Sequence, residues 1–117
     1  MKLNKKNLKA LSEKAGDDSL KAAVIEYALE YDEPEMFFKD LLTSGCQSGM
    51  VNGLIYYTDT HKFYDTYYDE IEELREDYEE DFGEPLKING DLKNWFAWFA
   101  FEETARIIYE QDFNQEL

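Results

Sequence analysis

An amphipathic pattern between Thr60 and Phe82 constrains the fold of this chain more than any other feature of its sequence. Apolar residues recur there at intervals of three and four, close to the 3.6-residue period of an α-helix, and acidic residues fill the other faces. The apolar positions are Phe63, Tyr64, Tyr67, Tyr68, Ile71, Leu74, Tyr78 and Phe82. One continuous helix over this segment would be about 34 Å long. We therefore predict a long acidic helix that packs its apolar face against a core.

Short breaks rich in Gly, Pro, Asp and Ser divide the rest of the chain into further helices. Gly16 is placed to end a basic first helix, and Ser19 is placed to cap a second one. Pro34 suits the first turn of a third helix. A weaker helix is predicted over residues 47–57. A helix over residues 92–111 is apolar on nearly all sides and should form the centre of the core.

The predicted fold class is all-α: a single-domain bundle of five or six helices, with one long acidic amphipathic helix and a short extended turn near residues 86–90. A chain of 117 residues is long enough for one domain, which we expect to span residues 1–117. Aromatic residues make up 16% of the sequence, enough to build a core despite the high charge. The basic helix in residues 1–15 is either peripheral to the bundle or folded back onto the acidic helix.

The formal net charge is −15, and its distribution along the chain is uneven. Residues 1–15 are basic, whereas acidic residues far outnumber basic ones in residues 61–90. An acidic surface repels nucleic acids and anionic membranes and attracts basic proteins. We therefore expect a basic protein surface as the partner, and neither direct nucleic-acid binding nor membrane binding. The single cysteine and the lack of a long apolar segment favour a cytoplasmic location.

Cys46 and His61 are the only cysteine and the only histidine in the chain. A catalytic thiolate and imidazolium pair is one interpretation, because the N-terminus of the predicted 47–57 helix would stabilise a thiolate beside it. A buried structural cysteine and a surface histidine are the alternative. The sequence around Cys46 does not match a nucleophile elbow, and one Cys with one His cannot complete a zinc shell. We therefore expect no catalytic residues, no metal site and no cofactor.

The acidic face of the predicted long helix is the strongest candidate for a binding site. Its carboxylates would repeat about every 5–6 Å along a rigid rod, as a series of negative charges comparable with the phosphates of a nucleic-acid strand. Such a face can bind a protein that handles nucleic acids. The alternative is a solvated face that keeps an aromatic-rich protein in solution. The residues predicted to contact the partner are Asp69, Glu72, Glu73, Glu76, Glu79 and Glu80.

Two segments, GCQSGM at residues 45–50 and WFAFEETA at residues 98–105, resemble a family of small acidic proteins and domains of unknown function encoded on bacteriophages, plasmids and other mobile elements. The resemblance extends from Ser44 to Ala105, and it assigns no active-site residues. What it implies is an accessory protein of a mobile element that acts in a bacterial cytoplasm. In size and charge alone, the chain also resembles acidic DNA-mimic inhibitors.

The resulting hypothesis is a non-enzymatic protein that inhibits a host nucleic-acid-handling protein by DNA mimicry. The alternative is a structural or oligomerisation module, because a helix that is apolar all round must be buried by something, and a second copy of the chain would serve. The residues that would form such an aromatic interface in a homodimer are Tyr56, Tyr57, Trp95 and Trp98.

Overall fold

The computed structural model describes residues 2–44, 60–83 and 92–116, and these ranges are almost entirely helical. The helices are α1 (Lys5–Ala15), α2 (Leu20–Leu29), α3 (Pro34–Ser44), α4 (Thr60–Thr66), α5 (Tyr68–Phe82) and α6 (Leu92–Arg106), which continues as a π-helix over Ile107–Asp112. The predicted all-α, single-domain bundle is confirmed. The predicted helix over residues 47–57 and the extended turn near 86–90 lie outside the described residues, as do Cys46, Tyr56 and Tyr57.

The ends of the first helices follow the local signals in the sequence. Gly16 has φ 99°, a conformation that a residue without a Cβ adopts readily, and its N–H donates to the carbonyl oxygen of Ser12 at the end of α1. The side chain of Ser19 accepts a hydrogen bond from the backbone N–H of Ala22 and so caps α2, as predicted. Asn4 caps α1 in the same way, with 2.9 Å between its Oδ1 and the backbone nitrogen of Asn7.

The acidic helix predicted over residues 60–82 is bent. Tyr67, with φ −108° and ψ 30°, separates α4 from α5. Helical hydrogen bonds nevertheless continue across the bend: the N–H of Tyr67 donates to the carbonyl of Phe63, and the N–H of Ile71 donates to the carbonyl of Tyr67. The apolar period therefore runs through the bend without a break in the sequence pattern. The acidic part, α5, has 15 residues and is about 22 Å long instead of about 34 Å.

The last helix lies at the centre of the core, as predicted. Its C-terminal half, including Phe101 and Ala105, is buried in a cluster with residues of α1, α2 and α3. Its N-terminal half, including Phe96 and Ala100, is buried in a second cluster, where Ile71 of α5 is 1% exposed. The two clusters share the partly buried Phe63. The acidic helix is thus held on the side of the bundle formed by the start of α6.

The π-helix that follows α6 is a feature that the sequence pattern did not predict. The N–H of Phe113 donates to the carbonyl of Ile108, five residues earlier, at 3.0 Å. Asn114 then adopts φ 52°, which Asn tolerates better than most residues, and the helix ends there. An ion pair of 2.9 Å between the Lys21 ammonium and the Asp112 carboxylate joins this end to α2.

The basic helix α1 packs on α2 and contributes to the core. Leu8 is 0% exposed and belongs to the same cluster as Val24 and Phe38. The lysines of α1 are exposed at the surface. Since this helix is amphipathic, its apolar side anchors it to the bundle, and its charged side remains in solvent.

Candidate functional site

Four of the predicted contact residues form one exposed row on α5, which we call the acidic stripe: Asp69, Glu73, Glu76 and Glu80. Positions separated by four, three and four residues lie on one face of an α-helix. This face is opposite Ile71, which is buried in the core. Among the described residues, none of the four carboxylates forms an ion pair with a basic side chain. The stripe therefore presents uncompensated negative charge to solvent.

The other two predicted contact residues are engaged within the protein. Arg75 lies 2.7 Å from a carboxylate oxygen of Glu72 and 3.1 Å from one of Glu79. Both pairs span a single turn of α5, so they were within reach of sequence reasoning, which overlooked them. Glu72 is also the more buried of the two carboxylates, with a side chain 17% exposed. These two side chains hold α5 in place and are less available to a partner than the stripe.

Arg75 is the centre of a small polar network on the buried side of α5. Its guanidinium lies 5.8 Å from the centroid of the Phe96 ring, within the range of a cation–π contact. Glu72, which Arg75 pairs with, also accepts a hydrogen bond from the Tyr64 hydroxyl. The network thus connects α4, α5 and α6. It fixes the rotation of α5 about its own axis, and with it the direction in which the stripe points.

The network shifts the pKa values of its members. Burial alone would raise the pKa of Glu72, but the hydrogen bonds from Tyr64 and Arg75 outweigh burial and hold the pKa of this carboxyl below its ordinary value. Burial, followed by the hydrogen bond with Glu72, raises the pKa of the Tyr64 hydroxyl to about 12. Both shifts favour the charge states in which the network forms, a carboxylate and a neutral phenol.

A second acidic feature, the acidic cleft, lies between α5 and the end of α6 with its π-helix. It consists of two adjoining cavities of about 230 Å³ and about 550 Å³, which share Leu74, Asp77 and Ile107 in their walls. Its lining also includes the apolar side chains of Leu20 and Phe99. The carboxylates along its sides are Glu70, Glu73, Asp77, Glu80, Asp81 and Glu103. Two of these, Glu73 and Glu80, belong to the stripe as well, so the cleft and the stripe are continuous.

Glu70 fixes one end of this cleft. Its carboxylate accepts a hydrogen bond of 2.9 Å from the backbone N–H of Leu20, the first residue of α2. A carboxylate at a helix N-terminus satisfies an unpaired N–H group and interacts favourably with the helix dipole. The start of α5 is thereby attached to the start of α2. Sequence reasoning missed this contact because the two residues are 50 positions apart.

Among the described members of the predicted aromatic interface, both tryptophans pack within the chain. The Trp95 ring stacks on that of Phe99, with 5.5 Å between the centroids, and contacts Tyr78 edge-on. Trp98 is half-buried against the first core cluster. The exposed large apolar side chains of the described residues are instead Met36, at 45%, and Tyr68, at 52%. The homodimer interface stays a prediction, since its other two residues, Tyr56 and Tyr57, lie outside the described residues.

The predicted alternatives for chemistry concern Cys46 and His61. Cys46 lies outside the described residues, and His61 is an exposed residue in the first turn of α4. Within the described ranges, no group of three or more His, Cys, Asp or Glu side chains is arranged to hold a metal ion. None of the described helices combines the length and the apolar character needed to cross a membrane.

The family match covers most of the chain. No curated protein and no solved structure matches the sequence. The family described as Domain of unknown function (DUF7222) matches residues 17–114. This range begins just after α1 and includes every element that builds the stripe, the network and the cleft. The chain therefore belongs to the DUF7222 family, a domain of unknown function.

Proposed function

We propose that this protein binds a basic surface of a nucleic-acid-handling protein through the acidic stripe, and that it inhibits that protein by mimicking nucleic acid. The observation that carries the proposal is the row of four exposed carboxylates, Asp69, Glu73, Glu76 and Glu80, without a basic side chain paired to any of them among the described residues. The row extends for about 16 Å along α5. A linear series of negative charges is the feature that nucleic-acid-binding sites recognise without regard to sequence.

The attachment of α5 to the bundle supports the proposal. The helix is fixed by the burial of Ile71, by the contact of Arg75 with Phe96 and by the hydrogen bond between Glu70 and Leu20. A surface that is already rigid loses little conformational entropy when it binds. Of the six predicted contact residues, Glu72 and Glu79 pair internally with Arg75, and the four stripe carboxylates stay available for a partner.

The biological setting is part of the same proposal. The resemblance of residues 44–105 to proteins of mobile elements supports an accessory role in a bacterial cytoplasm, where inhibitors of host nucleic-acid enzymes act. The net charge of −15 supports a basic partner, because the field of the whole protein attracts positive surfaces before contact is made. The alternative is that the stripe is a solvated face without a partner, and the experiment must distinguish the two.

The test compares the wild type with two variants of equal charge in affinity capture from bacterial lysate. The stripe variant carries Asp69→Lys, Glu73→Lys, Glu76→Lys and Glu80→Lys. The control carries Glu13→Lys, Asp17→Lys, Glu30→Lys and Asp32→Lys, all exposed and remote from α5 in sequence. In each variant, four exchanges of −1 for +1 change the net charge by +8, from −15 to −7.

We expect the wild type and the control to recover a nucleic-acid-binding protein that the stripe variant does not recover. The purified wild type should then displace nucleic acid from that protein in a competition assay. Recovery of the same proteins by all three, or by none, would mean that the stripe is a solvated face.

A further inference from the structure

We infer that the acidic cleft receives one face of a basic amphipathic helix from the partner protein. This inference rests on the proposed function, because it takes the partner to be basic, and it adds the kind of structural element that is bound. The stripe supplies charge on the outer face of α5, whereas the cleft beside it is lined by both carboxylates and apolar side chains.

The shape of the cleft suits a helix. Along α5 its walls extend from Glu70 to Asp81, a distance of about 16 Å, which corresponds to about three turns. The opposite wall is formed by α6 and the π-helix, with Phe99, Ile107 and Gln111 on that side. A groove between two helices is the usual seat of an amphipathic helix, which inserts apolar residues spaced by three and four.

The apolar lining residues of the cleft provide contacts that a purely ionic partner would not use. Leu74, Phe99 and Ile107 are half-buried, so each retains apolar surface that a partner side chain can cover. Covering apolar surface contributes about 25 cal/mol per Å². The two cavities together offer space for several aliphatic side chains in a row.

The sides of the cleft determine the sign of the partner's charge. Glu73, Asp77, Glu80 and Asp81 have no basic partner among the described residues. Glu103 is 3.9 Å from Arg106. Lys21 is the one basic residue among the described residues that line the cleft, and Asp112 neutralises it at 2.9 Å. An acidic helix would therefore be repelled, and a basic helix would meet the row of α5 carboxylates on one side and, of the described lining carboxylates, only Glu103 on the other.

The test uses two synthetic peptides of identical composition, made only of Leu and Lys. In the patterned peptide, Leu recurs at intervals of three and four and forms one helical face; in the scrambled peptide, the same residues give no apolar face. Binding is followed by fluorescence anisotropy of labelled peptide. Methyl NMR resonances of Leu74 and Ile107 report occupation of the cleft, and those of Leu11 serve as a remote reference.

We expect the patterned peptide to bind at least about tenfold more tightly than the scrambled one, a difference of about 1.4 kcal/mol. The resonances of Leu74 and Ile107 should shift while that of Leu11 does not. Neutralising two carboxylates of the cleft with Asp77→Asn and Asp81→Asn should lower the affinity for the patterned peptide about three- to tenfold. The matched control, Asp69→Asn with Glu76→Gln on the outer face of α5, should lower this affinity less.

Equal binding of the two peptides, with equal effects of the two variants, would overturn the cleft inference and leave the proposed function standing, since charge alone would then account for binding. Failure of both peptides to bind at low salt would also overturn it, and the lysate experiment would decide the proposed function separately. Tight binding of the patterned peptide without shifts at Leu74 and Ile107 would place the helix elsewhere and overturn the inference as well.

Discussion

The carboxylate of Glu70 in α5 lies 2.9 Å from the backbone nitrogen of Leu20 at the start of α2. This contact joins two helices that are far apart in the chain, and it sets one end of the acidic cleft. Ser19 caps the same helix through the N–H of Ala22, so the N-terminus of α2 receives two side-chain oxygens instead of one. Glu70 is therefore a structural carboxylate, unlike the four carboxylates of the acidic stripe on the same helix.

Replacing Glu70 should weaken the bundle, while replacing a stripe carboxylate should not. We expect Glu70→Ala to lower the free energy of unfolding by about 1 kcal/mol, since it removes an acceptor from a helix N-terminus. Urea denaturation measures the change. Glu80→Ala, at an exposed position without a basic partner among the described residues, is the control and should change stability little. Equal effects of the two variants would show that the bond to Leu20 contributes nothing.

Loss of Arg75 should be more costly than loss of an ordinary surface charge. Arg75→Met keeps much of the side-chain volume but leaves the half-buried Glu72 without its ion pair and removes the cation from the Phe96 ring. We expect a loss of about 1–2 kcal/mol in the free energy of unfolding. Arg75→Lys should lose part of this, because an ammonium cannot reproduce the geometry of a guanidinium that contacts two carboxylates. If Arg75→Met were as stable as the wild type, the network would not fix α5.

Stability should depend on pH at both ends of the range through Tyr64 and Glu72. The pKa of Glu72 is lower in the folded state, so its contribution is present above its unfolded pKa of about 4.3 and is lost as pH falls through the folded value. The pKa of Tyr64 is raised to about 12, so its contribution is present below about pH 10 and is lost as pH rises through about 12. The free energy of unfolding is measured across these two pH ranges for the wild type, Glu72→Gln and Tyr64→Phe. The differences between the wild type and each variant give the contributions of Glu72 and Tyr64. If the two variants depended on pH in the same way as the wild type, Glu72 and Tyr64 would not be the source of the pH dependence.

Glu102 should behave in the opposite sense to Glu72. Burial raises the pKa of Glu102, although Arg106, 3.6 Å away, favours the charged form. The carboxyl of Glu102 therefore binds a proton more tightly in the folded state than in the unfolded state. Its contribution to stability is present below the unfolded pKa and is lost as pH rises through the folded pKa. Relative to the wild type, Glu102→Gln should be more stable at about pH 7 than at about pH 4. The reverse order would show that the pair with Arg106 outweighs burial.

Features set by neighbouring residues were predictable from the sequence, and features set by distant contacts were not. Ser19 and Gly16 act within one turn of the helices that they bound, so local chemistry was sufficient to place them. The pairing of Glu72 and Glu79 with Arg75 carried the same kind of local signal, at spacings of three and four. That signal would have separated these two carboxylates from the stripe.

The bond between Glu70 and Leu20 had no local signal, because it depends on how α5 packs against α2. The acidic cleft is likewise a product of packing, since its walls come from separate helices. The bend at Tyr67 was hidden for a different reason. Helical hydrogen bonds continue across it, and so the apolar residues keep their period on both sides.

The most direct test of the central claim is the salt dependence of binding between this protein and a nucleic-acid-binding partner recovered from lysate. Titration calorimetry between about 50 and about 200 mM salt should show a steep fall in the affinity of the wild type. The control variant, with Lys at 13, 17, 30 and 32, should show the same fall. The stripe variant, with Lys at 69, 73, 76 and 80, should bind at least about tenfold more weakly at the lower salt concentration. If the stripe variant bound with the same affinity and the same salt dependence as the wild type, the acidic stripe would have no role in binding.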